Sequence, residues 1–326
     1  MQNILLGRRT GLRVSNMAFG TGLLGSSPGG QQPGDVQDTL RAYVEAGGNF
    51  FDTSDAYQFG QSEIALGEFL AGRRDDFVVA SKYARTATRE PAVAAKGSHR
   101  KAMIQSVEAS LKRLKTDHID LYFTHFDDGV TPIEEVARGF DDLVRAGKIV
   151  YGGFSNAPAW RVAKAATTAD LQGWAPITML QVEYSLLQRA PERELVPLAA
   201  EYGLGIMAYS PLAGGLLTGK YRRGEQGRAT AVKGSVSHED AGQSAEVLDV
   251  VLKIADQLGA TPGQVALAWV MGKGAIPIVG PRTTDQLREN LASANLKLDE
   301  EQIRDLDVVS NVPAGYPHEL LAKVRS

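Results

Sequence analysis

A phenol, an ammonium, a carboxylate and an imidazole held together can protonate an oxygen that is gaining negative charge. The sequence offers such a set. Asp52 and Tyr57 lie in Asp52-Thr53-Ser54-Asp55-Ala56-Tyr57, Lys82 follows Val78-Val79-Ala80-Ser81, and His125 follows Asp120-Leu121-Tyr122-Phe123-Thr124. A free phenol ionises near pH ~10 and is a poor acid at neutrality. An ammonium beside it favours the phenolate and makes it a better acid. Lys82 then needs its own charge held, which Asp52 can do as an ion-pair partner. His125 can hydrogen-bond the same substrate oxygen. The set suits reduction of a carbonyl by hydride, where the oxygen becomes an alkoxide that needs a proton. Each residue singly has an ordinary structural reading: a lysine reaching solvent, an aspartate in a turn, a packed tyrosine, a core histidine. The fold decides between the readings.

The elements that would position the four are short apolar runs alternating with amphipathic helices. Eight strands are predicted: Ser15–Gly20, Asn49–Thr53, Phe77–Ser81, Ile119–Thr124, Ile149–Phe154, Thr178–Val182, Gly205–Ala208 and Ala275–Val279. Most are continuously apolar, as parallel strands covered on both faces are. Helical spacing marks Asp35–Ala46 and Lys101–Leu114, the latter expected to be capped by Ser98. Thr131-Pro132-Ile133-Glu134 reads as a capping box opening a helix at Ile133–Arg145, and Thr261-Pro262-Gly263-Gln264 repeats the signal before Val265–Val270. A last helix, Glu300–Val309, precedes the tail Ser310 to Ser326. Strand–helix alternation without reversal hairpins predicts an α/β fold: a closed (β/α)8 TIM barrel with an N-terminal extension, a long loop after strand 7 and an extra C-terminal helix, forming one domain over residues 1–326. The C-terminal strand ends of such a barrel share one rim, which would place Asp52, Tyr57, Lys82 and His125 side by side.

Several longer blocks stand in order from about Leu6 to Leu296. They are Phe51 to Tyr57 with Gly60-Gln61-Ser62-Glu63, Asp120-Leu121-Tyr122 with His125, and Gly152-Gly153-Phe154-Ser155-Asn156. Gln181-Val182-Glu183-Tyr184-Ser185, Tyr209 to Lys220, and Gly280 with Gln286-Leu287-Arg288-Glu289-Asn290 complete them. Together they resemble the aldo-keto reductase superfamily, in its bacterial type and similar to the branch that includes potassium-channel β subunits. The resemblance implies a catalytic tetrad of Asp52, Tyr57, Lys82 and His125, with Tyr57 as acid–base. It implies reversible, NADPH-dependent, metal-independent reduction of an aldehyde or ketone to an alcohol.

No Gly-x-Gly-x-x-Gly turn opens a helix, since Gly20-Thr21-Gly22 runs into Leu23-Leu24-Gly25. A nicotinamide would therefore lie across barrel loops and not on a Rossmann unit. Gly20, Thr21, Gly22 and Asp52 are candidate contacts at the first two strand ends. Tyr209 can stack on the nicotinamide, and Ser155, Asn156 and Gln181 can bond its carboxamide. Ser210, Pro211, Leu212, Gly214 and Lys220 would meet the pyrophosphate. Gly280 opens the helix Thr283–Ala292, whose N-terminal amides favour a phosphate. Arg282 beside it could grip a 2′-phosphate, which favours NADPH, with NADH the alternative. Gln286, Glu289 and Asn290 match positions that hold the adenosine end in relatives. The polar loop Tyr221–Gln243, with Arg222, Arg223 and Arg228, either folds over the pyrophosphate or stands apart. Leu23, Leu24, Phe59, Tyr83 and Phe126 are expected as apolar substrate walls.

With 35 basic and 38 acidic residues and a net charge of −3, the chain projects no strong field. A small carbonyl compound is thus the expected partner, and nucleic acid and anionic membrane are not. No cysteine is present, which removes disulfides, thiolate nucleophiles and iron–sulfur centres. The N-terminal apolar run, Ile4 to Leu6, is too short for a signal peptide and no stretch suits a bilayer span, so a cytoplasmic location is expected. Of five histidines only His125 falls at a strand end, and no His-x-His pair exists, so no metal site is expected. Two other functions stay open: a cofactor-binding regulatory subunit with little turnover, and an NAD-dependent sugar or polyol dehydrogenase.

Overall fold

Alternation along a strand sends successive side chains to opposite faces, so a continuously apolar strand must serve two cores. Both are present in the computed structural model, which describes residues 1–25, 33–225 and 242–325. Two short strands, β1 (Asn3–Leu5) and β2 (Arg13–Ser15), form an antiparallel hairpin. The next eight are β3 (Ala18–Gly20), β4 (Phe50–Asp52), β5 (Val78–Tyr83), β6 (Ile119–Thr124), β7 (Ile149–Ser155), β8 (Ile177–Glu183), β9 (Gly205–Tyr209) and β10 (Ile276–Val279). They close a parallel barrel in the order β10-β3-β4-β5-β6-β7-β8-β9. The interior is filled by residues such as Phe50, Val78, Leu121, Phe123, Met179 and Met207, with Leu6 and Val14 from the hairpin at its floor. The alternate residues, among them Phe51, Val79, Tyr122, Phe154 and Leu180, face the surrounding helices.

The expected first strand, Ser15–Gly20, proves to be two. Ser15 pairs with Asn3 in the hairpin, and the barrel strand begins at Ala18. The Tyr43 hydroxyl sits at the break, 2.8 Å from the carbonyls of Met17 and Phe50 and 2.9 Å from Ser15 Oγ. It supplies the partners that a continuous strand would find in its neighbour.

The helices are α1 (Pro33–Glu45), α2 (Gln61–Phe69), α3 (Arg100–Leu114), α4 (Ile133–Arg145), α5 (Ala159–Gln172), α6 (Leu195–Tyr202), α7 (Gln243–Leu258), α8 (Pro262–Gly272), α9 (Thr284–Ala292), α10 (Glu300–Val309) and α11 (His318–Arg325). Among the described residues, none is long and apolar enough to cross a membrane. The Thr261 capping box forms, with Gln264 reciprocating. The other two expected caps do not. Pro132, not Thr131, precedes α4, and Thr131 donates its hydroxyl to Asp128 at 2.6 Å. His99, not Ser98, caps α3, its Nδ1 accepting from Ala102 N–H. The Ser98 hydroxyl is taken by the Phe126 carbonyl at 3.0 Å, and Asp128 accepts from the Ser98 backbone N–H at 2.7 Å. Burial works against the Asp128 charge, but the hydrogen bonds from Ser98, Thr131 and Val130 outweigh it and hold the carboxyl down to about 2. This carboxylate ties the loop after β6 to the start of α3. Of the expected loop Tyr221–Gln243, residues 226–241, with Arg228, lie outside the described residues.

Strands β7 and β8 shift register between Gly152 and Gly153. A Cβ on Gly153 would stand 2.6 Å from the Phe123 ring and 2.8 Å from the Met179 carbonyl oxygen. Gly153→Ala should therefore destabilise the fold by roughly 1–3 kcal/mol through overpacking. Urea unfolding reads this, and an unchanged midpoint would contradict the packing described.

Candidate active site

The same alternation that fills the barrel builds the site above it. Asp52 stands two residues beyond Phe50, Lys82 two beyond Ala80, His125 two beyond Phe123, Gln181 two beyond Met179 and Tyr209 two beyond Met207. Each apolar residue in these pairs belongs to the interior core, so each polar one faces the lumen at its C-terminal rim. Lys82 is fully buried and Asp52 is 2% exposed. Lys82 Nζ lies 2.7 Å from both Asp52 carboxylate oxygens, 2.8 Å from the Thr53 carbonyl and 3.2 Å from Tyr57 Oη. Burial works against the ammonium, but Asp52 and Tyr57 outweigh it and keep Lys82 above the ordinary lysine range. Asp52 Oδ1 also accepts from Gln181 Nε2 at 2.7 Å.

Tyr57 is aimed by a 3₁₀ turn, Tyr57–Gly60, in which Gln58 (φ 48°) and Phe59 (φ 55°) adopt left-handed backbone. Gln58 anchors the turn by donating to the Gly22 carbonyl at 3.1 Å. His125 meets the Tyr57 ring edge-on at 5.8 Å between centroids and stacks on Phe126 at 4.8 Å. Burial, with the Lys82 and Arg85 cations, pushes His125 down to about 3. The imidazole is therefore neutral at pH ~7 and carries one ring proton.

Asn156 bridges His125 and Tyr209 across the rim. Its Nδ2 donates to the His125 carbonyl at 2.9 Å, and its Oδ1 accepts from Tyr209 at 2.8 Å. Burial first, then Glu183 and Tyr57, raise the Tyr209 phenol to about 12, so it remains a donor. Ser155 is buried beside it. Thr21 is fully buried, and both its N–H and its hydroxyl donate to the Asp52 carbonyl. Gly20 pairs with Asp52 across β3 and β4, and Gly22 lies against the Tyr57 ring.

Next to this cluster runs a cleft of about 500 Å³. Ser210, Pro211, Leu212, Gly214, Lys220, Gly280, Arg282, Gln286, Glu289 and Asn290 all line it, as does Leu23. Gly214, with φ +69°, and Gly280 leave open backbone in its wall, where a Cβ would meet nothing closer than 3.8 Å. Lys220 and Arg282 bring positive charge, Arg223 is paired with Glu225 at 2.8 Å, and Thr283 caps α9 at one end. Open glycine backbone, cations and a helix N-terminus are what a bound phosphate chain requires, so this lining fits a dinucleotide.

Two expected wall residues are elsewhere. Tyr83 follows Lys82, so alternation turns it outward. It is fully buried in the outer core and donates to the Ser98 carbonyl at 3.0 Å. Leu24 is 1% exposed in the same core. Phe59 and Phe126 are instead 46% and 42% exposed. Arg89 lies over Phe59 and Arg85 over Phe126, at 4.8 and 5.7 Å from the ring centroids. Sequence reasoning passed over these arginines, and also over Ser54, Asp55 and Glu63, buried around the base of the Tyr57 turn, and over the half-buried Arg113 paired with Glu63. Asp55 and Glu63 stood in the quoted motifs, but they sit on a turn and a helix, where strand alternation gives no direction. Among the described residues, no group of three or more histidines and carboxylates could hold a metal ion.

A parallel eight-stranded barrel with this constellation at its C-terminal rim defines an oxidoreductase. The chain belongs to the aldo/keto reductase family, whose family model matches residues 16–311. It is 35% identical to an uncharacterized oxidoreductase of Bacillus subtilis, over 99% of this chain and 100% of the relative. It is 34% identical to the norsolorinic acid reductase of Aspergillus flavus, over 97% and 83%. To a candidate aryl-alcohol dehydrogenase of Saccharomyces cerevisiae it is 30% identical, over 97% and 89%. Membership implies NAD(P)H-dependent reduction of a small carbonyl compound.

Removing one member of a buried ion pair leaves an uncompensated charge. Lys82→Met should cost about 3–5 kcal/mol of folding stability, and adding Asp52→Leu to it should return part of the loss. Urea unfolding of the single and double variants checks this. A double variant less stable than Lys82→Met alone would contradict it.

Proposed function

We propose that this chain reduces an aromatic aldehyde or ketone with NADPH, that Tyr57 donates the proton, and that residues 1–326 work as one cytoplasmic domain. The observation that carries the reading is the Lys82 ammonium, 2.7 Å from both oxygens of Asp52 and 3.2 Å from Tyr57 Oη. When bound in the cleft, the reduced nicotinamide supplies hydride to the carbonyl carbon. Tyr57 gives its phenol proton to the carbonyl oxygen as negative charge grows there. Lys82 stabilises the phenolate left behind, and Asp52 fixes the ammonium in place. His125 hydrogen-bonds the same oxygen. Gln181 and Asn156 hold Asp52 and His125, and would bond the carboxamide of a bound nicotinamide. Lys220 and the backbone at Gly214 receive the pyrophosphate, and Arg282 receives the 2′-phosphate that separates NADPH from NADH.

The substrate class rests on the exposed aromatic surface of Phe59 and Phe126 beside Tyr57 and His125, which suits a flat ring, and agrees with the aryl-alcohol name of the yeast relative. Arg85 and Arg89 add an acidic preference. Each guanidinium lies over one of these rings, and neither has an ion-pair partner among the described residues. Left-handed backbone at Ala84 (φ 85°) and Thr86 (φ 63°) brackets Arg85, a conformation that costs about 1–3 kcal/mol per residue and is kept where the surroundings enforce it.

NADPH oxidation with benzaldehyde and 4-carboxybenzaldehyde tests the reading. Tyr57→Phe should lower kcat by about 10²–10⁴ with both. Arg85→Gln with Arg89→Gln should shrink the kcat/KM advantage of the carboxylated aldehyde. Arg282→Gln should weaken NADPH by about tenfold or more relative to NADH, the loss of one charge-assisted contact. Tight NADPH binding without turnover of any carbonyl would replace the enzyme with a regulatory subunit. Full activity in Tyr57→Phe would overturn the proton-donor assignment.

A further inference from the structure

Ser54 and Asp55 are buried at the base of the Tyr57 turn, 0% and 2% exposed, and the proton transfer above uses neither. Ser54 Oγ has three contacts: Ala56 N–H at 3.2 Å, Asp55 Oδ1 at 3.2 Å and His125 Nδ1 at 3.1 Å. A hydroxyl offers one proton and two lone pairs. The Ala56 N–H takes one lone pair. One proton and one lone pair remain for Asp55 and His125, so the chain between them can run in only two directions.

Because His125 is neutral, the direction decides which ring nitrogen carries its proton. With Asp55 ionised, Ser54 donates to Asp55 and accepts from His125 Nδ1–H, which leaves Nε2 a bare acceptor. With a proton on Asp55 Oδ1, Asp55 donates to Ser54 and Ser54 donates to Nδ1. Nε2 then carries the hydrogen. Oδ2 is buried and has no hydrogen-bond partner among the described residues, so a proton there would have no acceptor. Oδ1, facing the serine oxygen, is the better place for it.

We propose that Asp55 is a positioning residue that sets the His125 tautomer through Ser54: the protonated carboxyl gives a donor form that binds a carbonyl oxygen, and the carboxylate gives an acceptor form that binds an alcohol. The inference rests on His125 as the partner of the substrate oxygen. It makes kcat in each direction respond to one buried carboxyl outside the tetrad.

The groups around Asp55 place its titration near neutrality. Burial first, then Glu63 from α2, push it up to about 7, against Ser54, Arg113 and Ala56. Glu63 is fully buried, bonded to Arg113 of α3 at 2.7 Å and to Ser81 of β5 at 2.6 Å. Tyr122 of β6 presents a buried hydroxyl without a hydrogen-bond partner among the described residues. Its phenol is held well above the ordinary range, by burial first and then by Asp55, so it stays neutral. Lys82 of β5 and Arg85 just beyond it act on His125 and keep it from taking a second proton.

Nitrogen-15 NMR of the full chain, labelled at histidine, reads the tautomer directly from about pH 5.5 to 8.5. The His125 signal is assigned by its loss in His125→Gln. The expected result is an Nε2–H form at the low end that gives way to an Nδ1–H form at the high end. Asp55→Asn should abolish the change. Ser54→Ala, which keeps the carboxyl and its charge, should also uncouple His125 from pH. In turnover, kcat for reduction should carry a component that falls about tenfold from one unit below the midpoint to one unit above, absent in Ser54→Ala. A single His125 tautomer across the range, or a change that survives in both variants, would overturn the proposal. The NMR readout needs no turnover, so its failure is separate from failure of the carbonyl-reductase reading, which Tyr57→Phe tests.

Discussion

An ammonium without water must be surrounded by acceptors, and the rim of this barrel is arranged to surround one. Lys82 is fully buried, with two carboxylate oxygens and a carbonyl within 2.8 Å. Such a pair contributes little net stability, because desolvation offsets its attraction. Its consequence is positional. Among the described residues the remaining hydrogen-bond partner of the ammonium is the oxygen of Tyr57, a phenol that is itself half-buried. Gln181 and Thr53 exist in this account as the partners that keep Asp52 and Lys82 satisfied.

Two kinds of element deliver these groups, with different tolerances. The strands supply Asp52, Lys82, Gln181 and Tyr209 on one interior face, fixed by the packing beneath them. The turns supply Tyr57 and the exposed rings of Phe59 and Phe126, fixed by left-handed backbone and by carboxylates such as Asp128. Loop positions can vary while the strand ends stay constant, so one rim can serve many carbonyl compounds.

Much of this could be read from sequence because alternation is a strict rule. Once eight apolar runs were recognised as barrel strands, the residues ending them had to share a rim, and Lys82 had to face inward. The same rule, applied one residue further, turns Tyr83 outward, and its expected place in a substrate wall ignored that. The caps at Ser98 and Thr131 were misread because both hydroxyls donate elsewhere, that of Ser98 to the Phe126 carbonyl and that of Thr131 to Asp128. The break between Ser15 and Ala18 depends on the Tyr43 hydroxyl reaching across from a helix. Asp55 was within a recognised motif, yet its burial and its link to His125 follow from how the Tyr57 turn packs against α2 and α3. These are long-range contacts, and local pattern does not encode them.

The central claim is that Lys82 works through Tyr57. A double-mutant cycle on kcat/KM for NADPH-dependent aldehyde reduction, with wild type, Tyr57→Phe, Lys82→Met and the double variant, tests it most directly. If the ammonium acts only on the phenol, the double variant should be no slower than Tyr57→Phe alone. Losses that multiply would contradict the account, because they would give the two residues independent roles.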